Sequence, residues 1–525
     1  MSREKSDNLF ILVKSLSQSE KRYIRLSIGK SSKGETKTMD LFDTILQQKG
    51  FNDEEILEKN PHFNPIQLSN LKAELYKHVL HNLRSFHDGK IVDIQIRQLI
   101  DFAQLLVDRC LYRQANEQLK KAKKIAKSHD SLELLLEISK IEKRIINHII
   151  DNQNQQRVNS IVTEVSHING RINIINQLSN LEAKLNSLYK KVGFIRDKRD
   201  HNAIEKYLLK NLPDFTKIEL SYQEKIHLHN LYTGYYFFIH DFTNGYKEAK
   251  KFVKLFEDHP KLIISKIDFY LQALNKLLIS QSKLSLYQEF KTTVTSMRAV
   301  TSIKGLRLND DIKAKLFKYY YMHEINRYFM LGDFQGGLEL IDHIEDGLEQ
   351  FIDNLDDHST IILYYKIACL YFGSSDYRNC IVWLNKIINN TDVDLRRDIH
   401  CFARIINLIS HYELENLDVI DYYIRSTYRF LSKKYDLRLY QTYILGFLKN
   451  LGKGLTNNEL KEEFITLRDQ LIPLSDKPYE KRAFIYFDII SWLESRINNR
   501  PVGDIIREKA LQRIKDHEHQ VHDLL

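Results

Sequence analysis

The sequence predicts an all-α protein: a superhelical stack of antiparallel helix pairs behind a small helical N-terminal domain. Three observations predict it. First, turn formers are scarce. The 525 residues include only 7 prolines and 18 glycines, well under the usual ~5% and ~7%, whereas sheet-rich folds need turn residues every ~8–12 positions. Second, no proline lies between Pro260 and Pro473, and proline is what a helix interior excludes, because it lacks a backbone donor and clashes with the preceding turn. Third, apolar residues recur at helical spacing in segment after segment, often as two segments joined by a short turn.

Residues 1–90 are expected to form the N-terminal domain. A helix is predicted over about 7–16. Ser17 or Ser19 can cap the next, which runs through Glu20, Lys21, Arg22 and Tyr23. The polar stretch 29–37 holds Gly29 and Gly34 and reads as a loop. Leu41, Phe42, Ile45 and Leu46 mark another helix. Asn60-Pro61 and Asn64-Pro65 interrupt the chain. Leu68, Leu71, Leu75, Val79 and Leu83 then share one helical face, and Asp88-Gly89 ends that helix.

Residues 91–525 read as the array, with a subdivision possible near 212. The clearest pair is 96–110 with 113–127. Its large residues are Leu99, Phe102, Leu106, Tyr112 and Leu119, and its small ones are Ala103, Ala115 and Ala122. Large and small residues in these places resemble the tetratricopeptide repeat, in which small side chains let two helices approach and large ones fill the space between pairs. Two further units resemble it: 312–330 with 334–350 around Gly332-Asp333-Phe334, and 360–372 with 376–389 around Asp376-Tyr377. A fourth carries Gly234, Phe237, Gly245, Tyr246, Ala249 and Pro260, and needs a connection a few residues longer than that family's. Phe334 and Tyr377 are farther apart than the ~34-residue period of that family and nearer the ~40–47 of HEAT and armadillo pairs. Repeats are poorly defined in 131–212 and 395–525, though both are helical; Val158, Ile161, Val162, Val165 and Ile168 form one stripe. The opening, Leu9-Phe10 to Leu16-Ser17 with Ser19-Glu20-Lys21-Arg22, and Leu68-Ser69-Asn70-Leu71-Lys72 resemble the N-terminal unit of a group of uncharacterised bacterial helical-repeat proteins. That resemblance implies no activity.

Composition narrows the function. Hydrophobic residues are 43% of the chain, which is globular rather than disordered. The net charge of +9 arises from 78 basic and 69 acidic residues, a mild excess that permits an acidic partner without requiring one. Cys110, Cys369, Cys380 and Cys401 form no CxxC pair, which suits a reducing compartment. No apolar run reaches ~18 residues, and Leu9–Val13 is too short for a signal-peptide core. A cytoplasmic location is the expectation.

No enzymatic constellation emerges, and no cofactor is expected. Gly29-Lys30-Ser31 would need a glycine at position 24 to read as a phosphate loop, and Ile24 stands there on a predicted helix. Glu74, His78 and His81 share a helix face but lack the further ligands of a metal site. His227 and His229 point to different sides of a helix, and His517, His519 and His522 sit near the end of the chain. GxSxG, HExxH and calcium-loop motifs are absent. Cys369 and Cys380 read as small core residues.

Two residue sets remain as candidates. Basic clusters occur at Lys14, Lys21, Arg22 and Arg25, at Lys120, Lys124 and Lys127, and at Lys190, Lys191, Arg196, Lys198 and Arg199. They suit phosphates or, equally, the solvated outer face of a repeat. In tetratricopeptide relatives the first helix of each pair faces the groove. That resemblance nominates Arg97, Gln104, Asp108, Tyr235, Phe238, Tyr319, Asn326, Tyr365 and Phe372 as groove residues. The expected function is a non-enzymatic scaffold or adaptor that binds a protein or peptide in a concave groove. The alternative is a nucleic-acid-binding regulator with an N-terminal DNA-binding unit and the array as sensor or dimerisation arm. Segment 1–90 holds 15 basic and 12 acidic residues, weakly basic for such a unit.

Overall fold

The computed structural model describes residues 8–29, 36–89, 91–146, 148, 154–192, 198–215, 219–306, 308–389, 397–432, 439–451, 456–475, 477 and 488–522. Among the described residues there is no strand; many helices pack side by side, an arrangement compatible with a helical repeat. No described helix is long and apolar enough to cross a membrane. The chain divides into two compact units, 1–172 and 173–525.

The first unit begins with α1 (Asn8–Ser15), α2 (Gln18–Ile28), α3 (Thr36–Gln47), α4 (Asp53–Lys59) and α5 (Leu68–Phe86). They enclose one core of Leu9, Val13, Ile24, Leu41, Phe42, Leu75 and Val79 among others. Ser17 caps α2 in a reciprocal box: the Ser17 amide donates to Glu20 at 2.7 Å, and the Glu20 amide donates to Ser17 Oγ at 3.3 Å. Glu20 also meets His87 at 2.7 Å, which ties the start of α2 to the end of α5. The sequence reading passed over α4, a short acidic helix capped by Asn52. Asn60, just after it, anchors it by donating to Thr44 Oγ1 at 2.9 Å.

Next come α6 (Val92–Val107), α7 (Tyr112–Ser128), α8 (Leu132–Ile146) and α9 (Asn154–Val192), the last of which runs past residue 172. Ala103, Ala115 and Ala122 lie in the seam between α6 and α7 with no exposed surface. Phe102 does not fill a core position; it is 45% exposed. The buried stripe of α6 is Ile96, Ile100, Ala103 and Val107, and Phe102 falls one residue off it. In the same way Val162 lies off the buried side of α9, where Ile161 and Ile168 are enclosed.

The second unit comprises the end of α9, α10 (Lys198–Asn211), α11 (Tyr222–Phe238), α12 (Phe242–Glu257), α13 (Pro260–Ser265), α14 (Ile267–Lys283), α15 (Tyr287–Ala299), α16 (Asp310–Leu331), α17 (Phe334–Gly337), α18 (Ile341–Phe351), α19 (Asp357–Gly373), α20 (Tyr377–Ile388), α21 (Arg397–Glu413), α22 (Leu417–Ser432), α23 (Leu439–Leu451), α24 (Asn457–Ser475), α25 (Ile489–Asn498) and α26 (Val502–His522). Hairpin partners are α11 with α12, α14 with α15, α16 with α17, α19 with α20 and α21 with α22. The first helices also pack on one another in series: α11 on α14, α14 on α16, α16 on α19 and α19 on α21.

One turn recurs between hairpin partners. The first helix stops at a residue with left-handed backbone: His240, Ser285, Gly332, Ser375 and Glu415, and in the first unit Cys110. The amide of the following residue then returns to a carbonyl five positions back: Leu111 to Leu106 at 2.9 Å, Asp241 to Tyr236 at 2.9 Å, Leu286 to Gln281 at 2.9 Å, Asp333 to Tyr328 at 3.0 Å, Asp376 to Tyr371 at 2.9 Å and Asn416 to His411 at 3.1 Å. This closes the orphan carbonyls of the first helix. Where the returning residue is aspartate, its carboxylate also caps the second helix, as Asp241, Asp333 and Asp376 do. The α11–α12 connection is therefore as short as the others, against the longer one expected. The turns repeat at about 40–47 residues, the spacing of long helix pairs.

The C-terminal helix departs from nearest-neighbour stacking. Helix α26 packs on α16 as well as on α25. Backbone of Arg507 lies where a side chain on Gly332 would go, and a Cβ on Gly503 would stand 2.7 Å from the Gly373 carbonyl. One hydrophobic core accordingly runs from Phe317 to Val502.

Candidate binding site

Along α14, the polar residues Asp268, Gln272, Asn275, Lys276 and Lys283 interrupt an apolar helix at spacings that place them on one face. Lys315, Tyr319, His323 and Asn326 do the same on α16. Because α14, α16 and α19 pack in series, these faces join into a polar strip that crosses from α9 to α19.

The strip is held by side-chain bonds between helices. Asn230 of α11 donates to Glu182 of α9 at 2.5 Å. Lys276 donates to the Asn230 carbonyl at 2.7 Å and also to its Oδ1. Gln272 donates to Asp268 at 2.9 Å, and Lys315 reaches Asp268 and Asp311, each at 2.8 Å. Farther along, His323 meets Asn275 Oδ1 at 2.8 Å, Asn326 meets His323 Nδ1 at 3.3 Å, and Lys366 of α19 donates to Asn326 Oδ1.

The charge along the strip is uneven. Near its start, Glu182, Asp268 and Asp311 offset Lys276 and Lys315. At the other end no described carboxylate pairs with Lys283 or Lys366. Burial lowers the Lys366 ammonium to about 8. Burial, and then the charge of Lys366, lower Lys283 to about 7. Lys283 nonetheless keeps an exposed surface. Burial brings His323 down to about 3, with Lys366 adding to the shift, so this imidazole is neutral at physiological pH. Its bonds define the tautomer: Nε2–H donates to Asn275, and Nδ1 accepts from Asn326.

Of the nominated groove residues, Tyr319 and Asn326 belong to this strip. Burial pushes the Tyr319 hydroxyl up to about 12. Tyr235, Phe238, Tyr365 and Phe372 are 6%, 2%, 5% and 2% exposed and sit in the hydrophobic cores, not on a groove wall. The first helices of the middle pairs are covered on several sides, so position on a first helix does not by itself make a residue accessible. Arg97, Gln104 and Asp108 form a separate polar row in the first unit. Arg97 pairs with Glu137 at 3.7 Å, Arg144 donates to Gln104 at 2.8 Å, and Gln104 donates to Asp108 at 2.6 Å. Lys276, Lys283, Lys366 and His323 were not foreseen. A signal existed in α14, where polar residues recur at helical spacing through an otherwise apolar stretch.

Many of the basic clusters are committed within the fold. Lys14 donates to the carbonyls of Leu46, at 2.9 Å, and Gln48. Arg25 pairs with Asp43 at 2.6 Å, Lys120 with Glu117 at 2.9 Å and Lys127 with Glu164 at 2.7 Å. Lys21 is half-buried, while Arg22, Lys124, Lys198 and Arg199 are exposed. Arg196 and the side chains of Lys190 and Lys191 lie outside the described residues, as do Lys30, Ser31 and the side chains of His517, His519 and His522. Among the described residues, no three His, Cys, Asp or Glu side chains gather closely enough to hold a metal ion. Cys380 is fully buried, and burial holds the Cys369 thiol at about 12, the state of a packing residue rather than a nucleophile.

Compared with protein families, curated proteins and solved structures, the chain matches none.

Proposed function

We propose that this protein is a non-enzymatic scaffold or adaptor, a tetratricopeptide-like solenoid whose first helices present a concave face to a protein or peptide partner. The observation that carries the reading is the polar strip across α9, α11, α14, α16 and α19. Packing between helices is ordinarily apolar, because a buried polar group costs ~1–3 kcal/mol when unpaired. A strip of asparagines, lysines and a histidine, in which Asn230, Lys276, Lys315, His323 and Lys366 bond to a neighbour on another helix, supplies preorganised polar groups on one face. That is what recognition of an extended partner requires.

Site-specific photo-crosslinking in the native cell tests it. A crosslinkable residue at Tyr319, on the strip, should trap a discrete protein. The same residue at Thr295, exposed on α15, should not. Equal yields at the two positions, or none at Tyr319, would overturn the assignment of this face.

A further inference from the structure

We infer that the protein associates with itself through two charge-matched helix faces, the lysine face of α12 on one copy docking against the acidic face of α18 on another.

The two faces share one spacing. On α12, Lys247, Lys250, Lys251 and Lys254 are exposed, while Ala249, Phe252 and Phe256 are buried behind them. On α18, Asp342, Glu345, Asp346 and Glu349 are exposed, and Ile341, Ile344 and Leu348 are buried. Residues at i, i+3, i+4 and i+7 line one side of a helix for ~10 Å. Both rows follow that pattern, and it reads the same from either end. The lysines therefore meet the carboxylates whether the helices run parallel or antiparallel. Glu257 and Asp258, also exposed, end the lysine row one turn later.

Neither row is neutralised within its own chain. Lys251 pairs with Glu248 at 2.6 Å, but Lys247, Lys250 and Lys254 form no ion pair with a described carboxylate. Lys386 of α20 acts on Glu345, yet no described lysine or arginine forms an ion pair with any of the four acidic side chains. The surrounding sequence offers little relief, since Arg327 and Lys366 bracket nine acidic residues with no lysine or arginine among them. Exposed helix faces ordinarily mix the two signs. Like charges at i, i+4 repel, as Lys247 does with Lys251, Lys250 with Lys254, Asp342 with Asp346 and Glu345 with Glu349. Each row thus carries a repulsion that the other would relieve. Because both rows are exposed, they do not meet within one chain, and a second copy supplies the matching row at the matching spacing. One exposed ion pair counts for little; a full row of them adds up. These second-helix faces are separate from the polar strip on the first helices, so the inference does not rest on the scaffold reading.

Sedimentation velocity on the full chain tests it. The parent should associate at about 0.05 M salt, with an association constant at least ~10-fold lower at about 0.5 M, where charges ~10 Å apart are largely screened. Two exchange variants separate the faces: Lys247→Glu with Lys250→Glu and Lys254→Glu, and Asp342→Lys with Glu345→Lys and Glu349→Lys. Each alone should associate at least ~10-fold more weakly than the parent at low salt, because one face then repels the other. An equimolar mixture should regain the association, since the acidic α12 of the first variant meets the basic α18 of the second, and the reverse. All six positions are exposed, so the cores behind them are unaltered. Arg113→Glu with Lys121→Glu and Lys124→Glu, exposed on α7, changes the net charge as much as the α12 variant does and should associate like the parent. A parent that stays monomeric at low salt would leave these faces to solvent or to other molecules and overturn the proposal. So would exchange variants that associate as the parent does, or a mixture no better than its two components.

Discussion

At the residue scale, the recurring turn supplies a matched pair of predictions. Ser285 and Gly332 occupy the same left-handed position, at φ 58° and 65°. A side chain there costs ~1–2 kcal/mol in the folded chain, partly offset because glycine loses more freedom on folding. Ser285→Gly should therefore stabilise the protein by about 0.5–1 kcal/mol. Gly332→Ser should destabilise it by about 2–4 kcal/mol, because the new Cβ overlaps the Arg507 backbone in addition to the strain. Chemical denaturation measures both, and a Gly332→Ser protein as stable as the parent would contradict the seating of α26. The lysines make a prediction of their own. Lys276, Lys283 and Lys366 titrate at about 8, 7 and 8 when folded, against 10.5 as the ordinary value. Above pH 7 the unfolded chain holds protons that the folded chain releases, so ligand-free stability gains as pH rises from 7 to 9. Lys366→Met should raise the melting temperature at pH 7 and flatten that rise, since it removes a buried charge that lacks a carboxylate partner. An unchanged slope between pH 7 and 9 would show that Lys366 is not desolvated. These lysines escaped notice in the sequence because a helical lysine ordinarily marks a solvated face. Only the packing of α14, α16 and α19 brings residues 276, 283 and 366 to one strip.

At the element scale, Asp356 joins the start of α19 to α16. Its carboxylate accepts from the Ser359 amide at 2.9 Å, the Ser359 hydroxyl at 2.7 Å and Lys318 at 3.0 Å. Burial alone would raise its pKa, but Ser359 and Lys318 outweigh burial and bring it to about 2. The stabilisation is present above the ordinary carboxylate range and is lost as pH falls from about 4 toward 2. The Asp356 side chain is 54% exposed, so screening limits its effect to about 1 kcal/mol, the usual worth of such a cap. Asp356→Ala should lose that amount at pH 7, with the gap to the parent closing as acid is added. A constant gap from pH 7 to pH 3 would assign the loss to packing instead. Elements of this kind were legible where their signals are local. The hairpin turns at Gly332-Asp333-Phe334 and Asp376-Tyr377 stand where the sequence places them, and of the two serines it offers as the α2 cap the structure uses Ser17, since each signal is written in three or four adjacent residues. Phe102 and Tyr235 were misplaced because a helical stripe is broad. Whether a residue at its edge is covered depends on how the neighbouring helix crosses, which local sequence does not encode.

For the whole molecule, the question is whether residues 173–525 behave as a line of repeats or as a body closed at one end. In an open array each pair touches only its neighbours, and that is what the periodicity predicts. The structure keeps neighbour stacking from α11 to α22 but brings α26 back across the ends of α16 and α19. Gly503 decides between the two descriptions. It is the second residue of α26, and in a freely exposed helix Gly→Ala gains up to ~1 kcal/mol from helix propensity alone. On the seated helix the same methyl meets the Gly373 carbonyl at 2.7 Å, a backbone atom that cannot swing aside, and overpacking of this sort costs about 1–3 kcal/mol. The sign of the change therefore reports the closure. Gly503→Ala is expected to lower the melting temperature and to weaken hydrogen-exchange protection across α16, α19 and α26. Protection of α1–α5 should be unaltered, because those helices have their own core in the other unit. A raised melting temperature, with α26 more protected and α16 unaffected, would mean that α26 stands free and that the array is open at its C-terminal end.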